Sequence, residues 1–158
     1  MNADDTEFAR RFERGEVPNK DFHHREHLRL AWAYLQESAT ADEACNRMRK
    51  AIRGLAESEG HPEKYHETLT VFWVRLLAQV RMHAEAPRDL EGMLESHAHL
   101  LDKDAPLAFY SRERLFGGAA RIAWQAPDLR PLPSHAPATD PRDPSSDSPY
   151  RPLRGRAA

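Results

Sequence analysis

Residues 62–83, PEKYHETLTVFWVRLLAQVRMH, are the run whose reading decides the fold. Pro62 suits the first turn of a helix, where its missing N–H would have no partner anyway. From there His66, Leu69, Trp73, Leu76, Leu77 and Val80 recur at the 3.6-residue period. They make an apolar face so broad that only a stripe through Thr68, Arg75, Gln79 and Met82 is left for solvent. A helix of this kind, from Pro62 to about His83, is expected at the centre of a bundle.

The neighbouring segments fit that expectation. Thr40 followed by Glu43 matches a capping box, and Ala44, Met48, Ile52 and Leu55 carry an apolar stripe from there to about Ser58, before Gly60 and Pro62 break the run. Upstream, Asn19 or Asp21 can cap a helix from about Phe22 to Glu37, and Phe8 and Phe12 mark a short helix from Thr6 to Arg14 that Gly15 and Pro18 end. Downstream, Pro87 opens a helix through Leu90, Leu94, His97 and Leu101, and Ser111 caps a last one through Leu115, Ala119 and Ile122. Gly117 and Gly118 inside that last helix suggest a close helix approach or room for a ligand. No segment alternates like a strand. The sequence therefore predicts an all-α, single-domain bundle of about five main helices over residues 1–128. Residues 129–158 hold seven of the chain's twelve prolines and read as a disordered or extended tail.

At 158 residues the chain is sized for one domain. A net charge of -2 gives no basic field for nucleic acid or an anionic membrane. Leu69–Val80 is too short and too interrupted to span a bilayer, and the first residues lack the basic start of a signal peptide. A cytoplasmic protein without nucleic-acid or membrane partners is expected, with Cys45, the single cysteine, as a core residue.

Eight of the nine histidines precede residue 100. His24 and His27 fall on the inward face of their helix with Leu28, Ala31 and Leu35, whereas His23 lies about 100° away. His66 opens the central helix with Glu67 beside it. Short connections make consecutive helices antiparallel, so the helices starting near Phe22 and Pro62 begin at the same end of the bundle, and Tyr110 and Ser111 come to that end too. His24, His27, His66 and Glu67 are thus expected to form one divalent-metal site for Fe, Zn, Cu or Mn, since neutral imidazoles with a carboxylate suit such ions. Helix starts keep the imidazoles neutral and favour an anionic substrate. In this scheme Glu67 and Tyr110 serve catalysis, while Arg121 and Ser111 bind the substrate.

Three motifs, Phe22-x-His24-x-x-His27-Leu28, Tyr65-His66-Glu67-Thr68-x-Thr70 and Ala120-Arg121-x-x-Trp124-x-x-Pro127-Asp128-Leu129, resemble the signatures of an uncharacterised group of small bacterial all-helical proteins. The resemblance implies that His24, rather than His23, pairs with His27. It brings no activity with it.

Three classes of function follow. The first is a metal-dependent enzyme acting on a small organic molecule, an anionic one being favoured by the helix starts, and an oxidoreductase or a lyase or hydrolase according to the metal. The second is a metal-free acid–base enzyme using His66 with Glu67, or the His24/His27 pair. The third is a non-catalytic ligand-binding or protein-interaction module with hydrogen-bonded core histidines.

Overall fold

A computed structural model describes residues 3–82 and 89–132. The expectations for His83, Pro87 and the chain beyond Leu132 lie outside the described residues. Seven α-helices occur among those described: α1 (Ala3–Glu13), α2 (His24–Glu37), α3 (Ala41–Ser58), α4 (Glu67–Arg81), α5 (Leu90–Ser96), α6 (Arg112–Leu115) and α7 (Gly118–Ile122). Short 3₁₀ turns stand before α2 and α4 and between α5 and α6. The all-α bundle is as the apolar period predicts.

The central helix is α4, whose Val71, Phe72, Val74 and Leu77 are almost fully buried together with Leu28, Ala31 and Leu35 of α2 and Met48 of α3. Burying each such large apolar side chain contributes roughly 1.5–3 kcal/mol before the entropy of ordering it is subtracted. Ion pairs fix the directions. Arg75 of α4 meets Asp42 at 3.0 Å, and Glu67 meets Arg49 at 2.6 Å, so α3 and α4 run antiparallel. The Arg47 guanidinium lies 4.3 Å from the Tyr34 ring and 2.7 Å from Glu37, which seats α3 against α2, and because His24 packs on Trp73 and Arg81 over Trp32, α2 runs parallel to α4 and antiparallel to α3. The sequence order up, down, up is the observed one.

Helix boundaries follow their caps. Thr40 Oγ1 accepts from the Glu43 N–H at 3.2 Å, while Glu43 Oε2 accepts from Ala39 N–H rather than from Thr40 itself. Gly60, at φ 75°, takes the left-handed backbone that ends α3. Four boundaries differ from the sequence reading. The residue capping α2 is His23, with no side-chain bond, because Asn19–Asp21 form a 3₁₀ turn of their own. Pro62–Lys64 form another 3₁₀ turn, so α4 starts only at Glu67. Asp89 caps α5 through the Gly92 N–H, and α5 stops at Ser96. The last helix is split into α6 and α7 at Phe116 and Gly117.

Candidate functional site

At the start of α4 every polar group has an answer. His66 is the N-cap residue: its Nδ1 accepts from the Leu69 N–H at 3.1 Å, and its Nε2 lies 2.8 Å from the Leu115 carbonyl. A carbonyl can only accept, so Nε2 carries the hydrogen and the ring is neutral. Burial, with Arg121 nearby, pushes its pKa down. Glu67 is buried, with Oε2 accepting from Arg49 Nε at 2.6 Å and Oε1 from the Tyr65 hydroxyl at 2.6 Å. Burial and that hydrogen bond push the Tyr65 hydroxyl pKa up, so it stays a donor. Thr68, expected on the solvent stripe, is fully buried under the later chain: its hydroxyl lies 2.7 Å from the Ala120 carbonyl and 3.0 Å from that of Ala123, and it accepts from the Gln125 N–H.

The residues expected to meet a substrate are occupied in the same construction. Arg121 Nη1 donates to the carbonyls of Glu63, Lys64 and Tyr65, closing the 3₁₀ turn before α4 rather than waiting for an anion. Tyr110 is fully buried and donates to the Gln125 carbonyl at 2.7 Å, and burial pushes its pKa up. Ser111 caps α6 through the Arg114 N–H and binds Asp128 with both its hydroxyl and its N–H. Gly117 is needed for approach, since a Cβ there would stand 2.9 Å from the Glu113 carbonyl; a Cβ on Gly118 would meet nothing. The second and third motifs of the sequence are therefore two halves of one hydrogen-bonded clamp.

The start of α2 is different. His24 Nε2 lies 2.8 Å from the Leu100 carbonyl, so that nitrogen carries the hydrogen and Nδ1 is the one that presents a lone pair in the neutral ring. The ring stands edge-on to Trp73 at 4.5 Å. His27 is only partly covered as a residue, but its Nε2 is fully buried and meets no hydrogen-bond partner among the described residues. Burial, with His24 adding to it, pushes the His27 pKa down to about 4. One oxygen of Glu26, Oε2, is likewise buried without a partner. Glu26 also lines a cavity of about 490 Å³ together with Asp4, Asp5, Arg25, Arg29, Asp89, Leu90 and Glu91. Arg29 spans to Asp5 at 2.9 Å and Asp4 at 2.6 Å, and Arg25 pairs with Glu91. The sequence reading left out most of this cavity, because its wall is drawn from α1, α2 and the start of α5 and no single helix period signals it. His97 and His99 have rings 5.9 Å apart beyond the end of α5.

The two helix starts do not come together. His24 packs on Trp73, and Arg81 sits over Trp32 at 5.0 Å, so α2 and α4 run parallel with a constant offset that makes His27 level with Leu76. That is ten residues beyond His66, a displacement on the order of 15 Å along the axis. The helices start at the same end but are staggered. Among the described residues no group of three or more His, Cys, Asp or Glu side chains could hold a metal ion. The four residues expected to share one ion, His24, His27, His66 and Glu67, are thus divided between a pair with free nitrogens and a pair fully engaged in structure.

No helix among the described residues is long and apolar enough to cross a membrane. Neither a family model, nor a curated protein, nor a solved structure matches the chain, so its function is argued from these residues.

Proposed function

We propose that the protein handles a small molecule at the start of α2, with the His24 and His27 imidazoles as its working groups and the cavity lined by Glu26 of the same helix start as the molecule's seat. The observation that carries this reading is the buried, unpartnered Nε2 of His27 beside a second imidazole. Buried polar atoms nearly always have partners, so an unanswered imidazole nitrogen is open to a ligand atom, and Glu26, the residue before it in sequence, lines the cavity. An imidazole this reluctant to protonate is a weak base, yet it donates or accepts a hydrogen bond near neutral pH and can polarise a carbonyl or hydroxyl. Five carboxylates against two arginines on the cavity wall suit a cationic or donor-rich molecule. This is the metal-free enzyme class in the form that uses the His24/His27 pair rather than His66 with Glu67.

The same neutrality favours a second reading, a metal-dependent enzyme. Protons compete with a cation for His27 only near pH 4, so Fe, Zn, Cu or Mn could take His24 Nδ1 and His27 Nε2, with water or substrate as further ligands. Elemental analysis after anaerobic purification separates the two. Near-stoichiometric metal that both His24→Ala and His27→Ala remove supports the second. A metal-free protein whose melting midpoint is raised by a cationic small molecule, through an effect that Glu26→Gln and His27→Ala abolish, supports the first. No metal and no stabilising ligand, with His27→Leu as destabilised as His66→Leu, would overturn both.

A further inference from the structure

Residues 109–130 form a loop closed on itself and laid over the start of α4. Its two ends are tied by the Leu129 N–H to the Phe109 carbonyl at 2.9 Å, by Tyr110 to Gln125 and by Ser111 to Asp128. Three side chains fasten its middle to the rest of the fold: His66 to Leu115, Thr68 to Ala120, Ala123 and Gln125, and Arg121 to the turn before α4. Phe116, Ile122 and Leu129 of this loop stay exposed, so apolar burial is only part of what holds it; Phe109, Tyr110, Leu115 and Ala120 supply that part.

Of the three fasteners only His66 changes its hydrogen-bonding capacity in mild acid. Its Nε2 must donate to Leu115, which leaves Nδ1 as the acceptor that caps α4. A proton on Nδ1 abolishes the acceptor and sets two N–H groups against each other. It also places a positive charge at the positive end of a helix. The charged groups around the ring do not relieve this. Glu67, next on α4, gives both oxygens to Arg49 and Tyr65. Glu63 and Lys64 on the preceding turn, and Arg112, Glu113 and Arg114 on α6, are exposed. Arg121 on α7 acts on the ring, and it opposes the charge.

We infer that His66 is an acid-operated latch: neutral, it caps α4 and holds the loop 109–130 through Leu115, and protonated, it releases both. Burial and Arg121 keep the ring neutral near pH 7, so the latch is closed there and opens as the pH falls. Opening uncovers Thr68 and the inner side of Leu115, while α2, α3 and the body of α4 remain packed.

The test is amide hydrogen exchange on the full chain, expressed as protection factors so that the intrinsic effect of pH is removed. Between about pH 7 and about pH 4.5, amides of residues 115–125 and of Leu69 are expected to lose protection about tenfold or more while those in the middle of α3 keep theirs. His66→Asn retains a capping oxygen and does not titrate, so its loop protection is expected to be lower at neutral pH and independent of pH over the same range. Loss of protection in the loop and α3 together, or an unchanged pH dependence in His66→Asn, would overturn the latch. If His66→Asn does not fold, the ring's own titration followed by NMR decides on the parent protein: its midpoint is expected to coincide with loop opening, and a separation of more than about one pH unit overturns the inference.

Discussion

The starts of α2 and α4 carry the same residue types, an imidazole with a carboxylate next to it in sequence, and the fold uses them in opposite ways. Before α4, His66 and Glu67 have every nitrogen and oxygen engaged, by Leu69, Leu115, Arg49 and Tyr65. At α2, Glu26 Oε2 and His27 Nε2 are buried without a partner among the described residues. The difference comes from what lies on top. The start of α4 is covered by the loop 109–130, whose carbonyls supply acceptors at short range. The start of α2 is bordered by charged side chains of α1 and α5 that mostly pair with arginines and leave a cavity. Residue type alone therefore separates structure from function poorly; the state of the second partner does it better.

The comparison breaks most readily at Glu67. Glu67→Ala strands Arg49 and the buried Tyr65 hydroxyl, and breaking a largely buried charge pair from one side costs about 3 kcal/mol or more. Urea denaturation is expected to show that loss. Glu26→Ala, at the other helix start, is expected to cost much less, and equal losses at both would mean that Glu26 is a structural residue too.

Acid probes the other side. His27 has a folded pKa of about 4 against 6.5 for the free side chain. Between those values the unfolded chain binds a proton that the folded one does not, so stability rises with pH through the window. The contribution is fully present above about pH 6.5 and is lost as the pH falls towards 4, amounting to up to about 3 kcal/mol. His66, with its pKa also pushed down, acts in the same direction. Chemical denaturation at several pH values is expected to give a slope over this range that His27→Leu reduces. A slope that His27→Leu leaves untouched would mean that His27 does not titrate as a buried group.

Thr68→Val sharpens the structural side. The change keeps the shape and removes the hydroxyl that serves two carbonyls and the Gln125 N–H, for an expected loss of about 2 kcal/mol. Hydrogen exchange should locate the loss in residues 118–126, whereas a uniform loss across α3 and α4 would contradict the clamp.

Much of this was legible in the sequence. The 3.6-residue period found α2, α3 and α4, and Thr40 and Ser111 were readable as caps because capping needs only local chemistry. The inward placing of His27 was readable for the same reason. Thr68 was misread as solvent-facing because the period of one helix cannot foresee that a segment fifty residues later will lie over it. His66 was placed a turn inside its helix because Pro62 looked like the first residue of α4, whereas Pro62 starts a 3₁₀ turn and His66 does the capping. The stagger of α2 against α4 is set by how side chains such as His24 and Trp73 interlock, and no single-helix pattern contains it.

The smallest expected effect is the one that best separates a working histidine from a packed one. His27→Leu removes a buried nitrogen that has no partner among the described residues and replaces the ring with an apolar side chain of similar bulk. Near pH 7 the ligand-free protein should then be unchanged or more stable by about 1 kcal/mol, since an unanswered polar atom carries a desolvation cost that leucine does not. Equilibrium denaturation measures that gain. A residue whose apolar replacement stabilises the fold is not there for the fold, and stability given up at one position is what a binding or catalytic role leaves behind. His66→Leu is the matched control, expected to lose about 2 kcal/mol by uncapping α4 and orphaning the Leu115 carbonyl. If His27→Leu instead destabilises the protein as much as His66→Leu does, the two helix starts are alike after all, and the case for a site at α2 fails with the contrast that supports it.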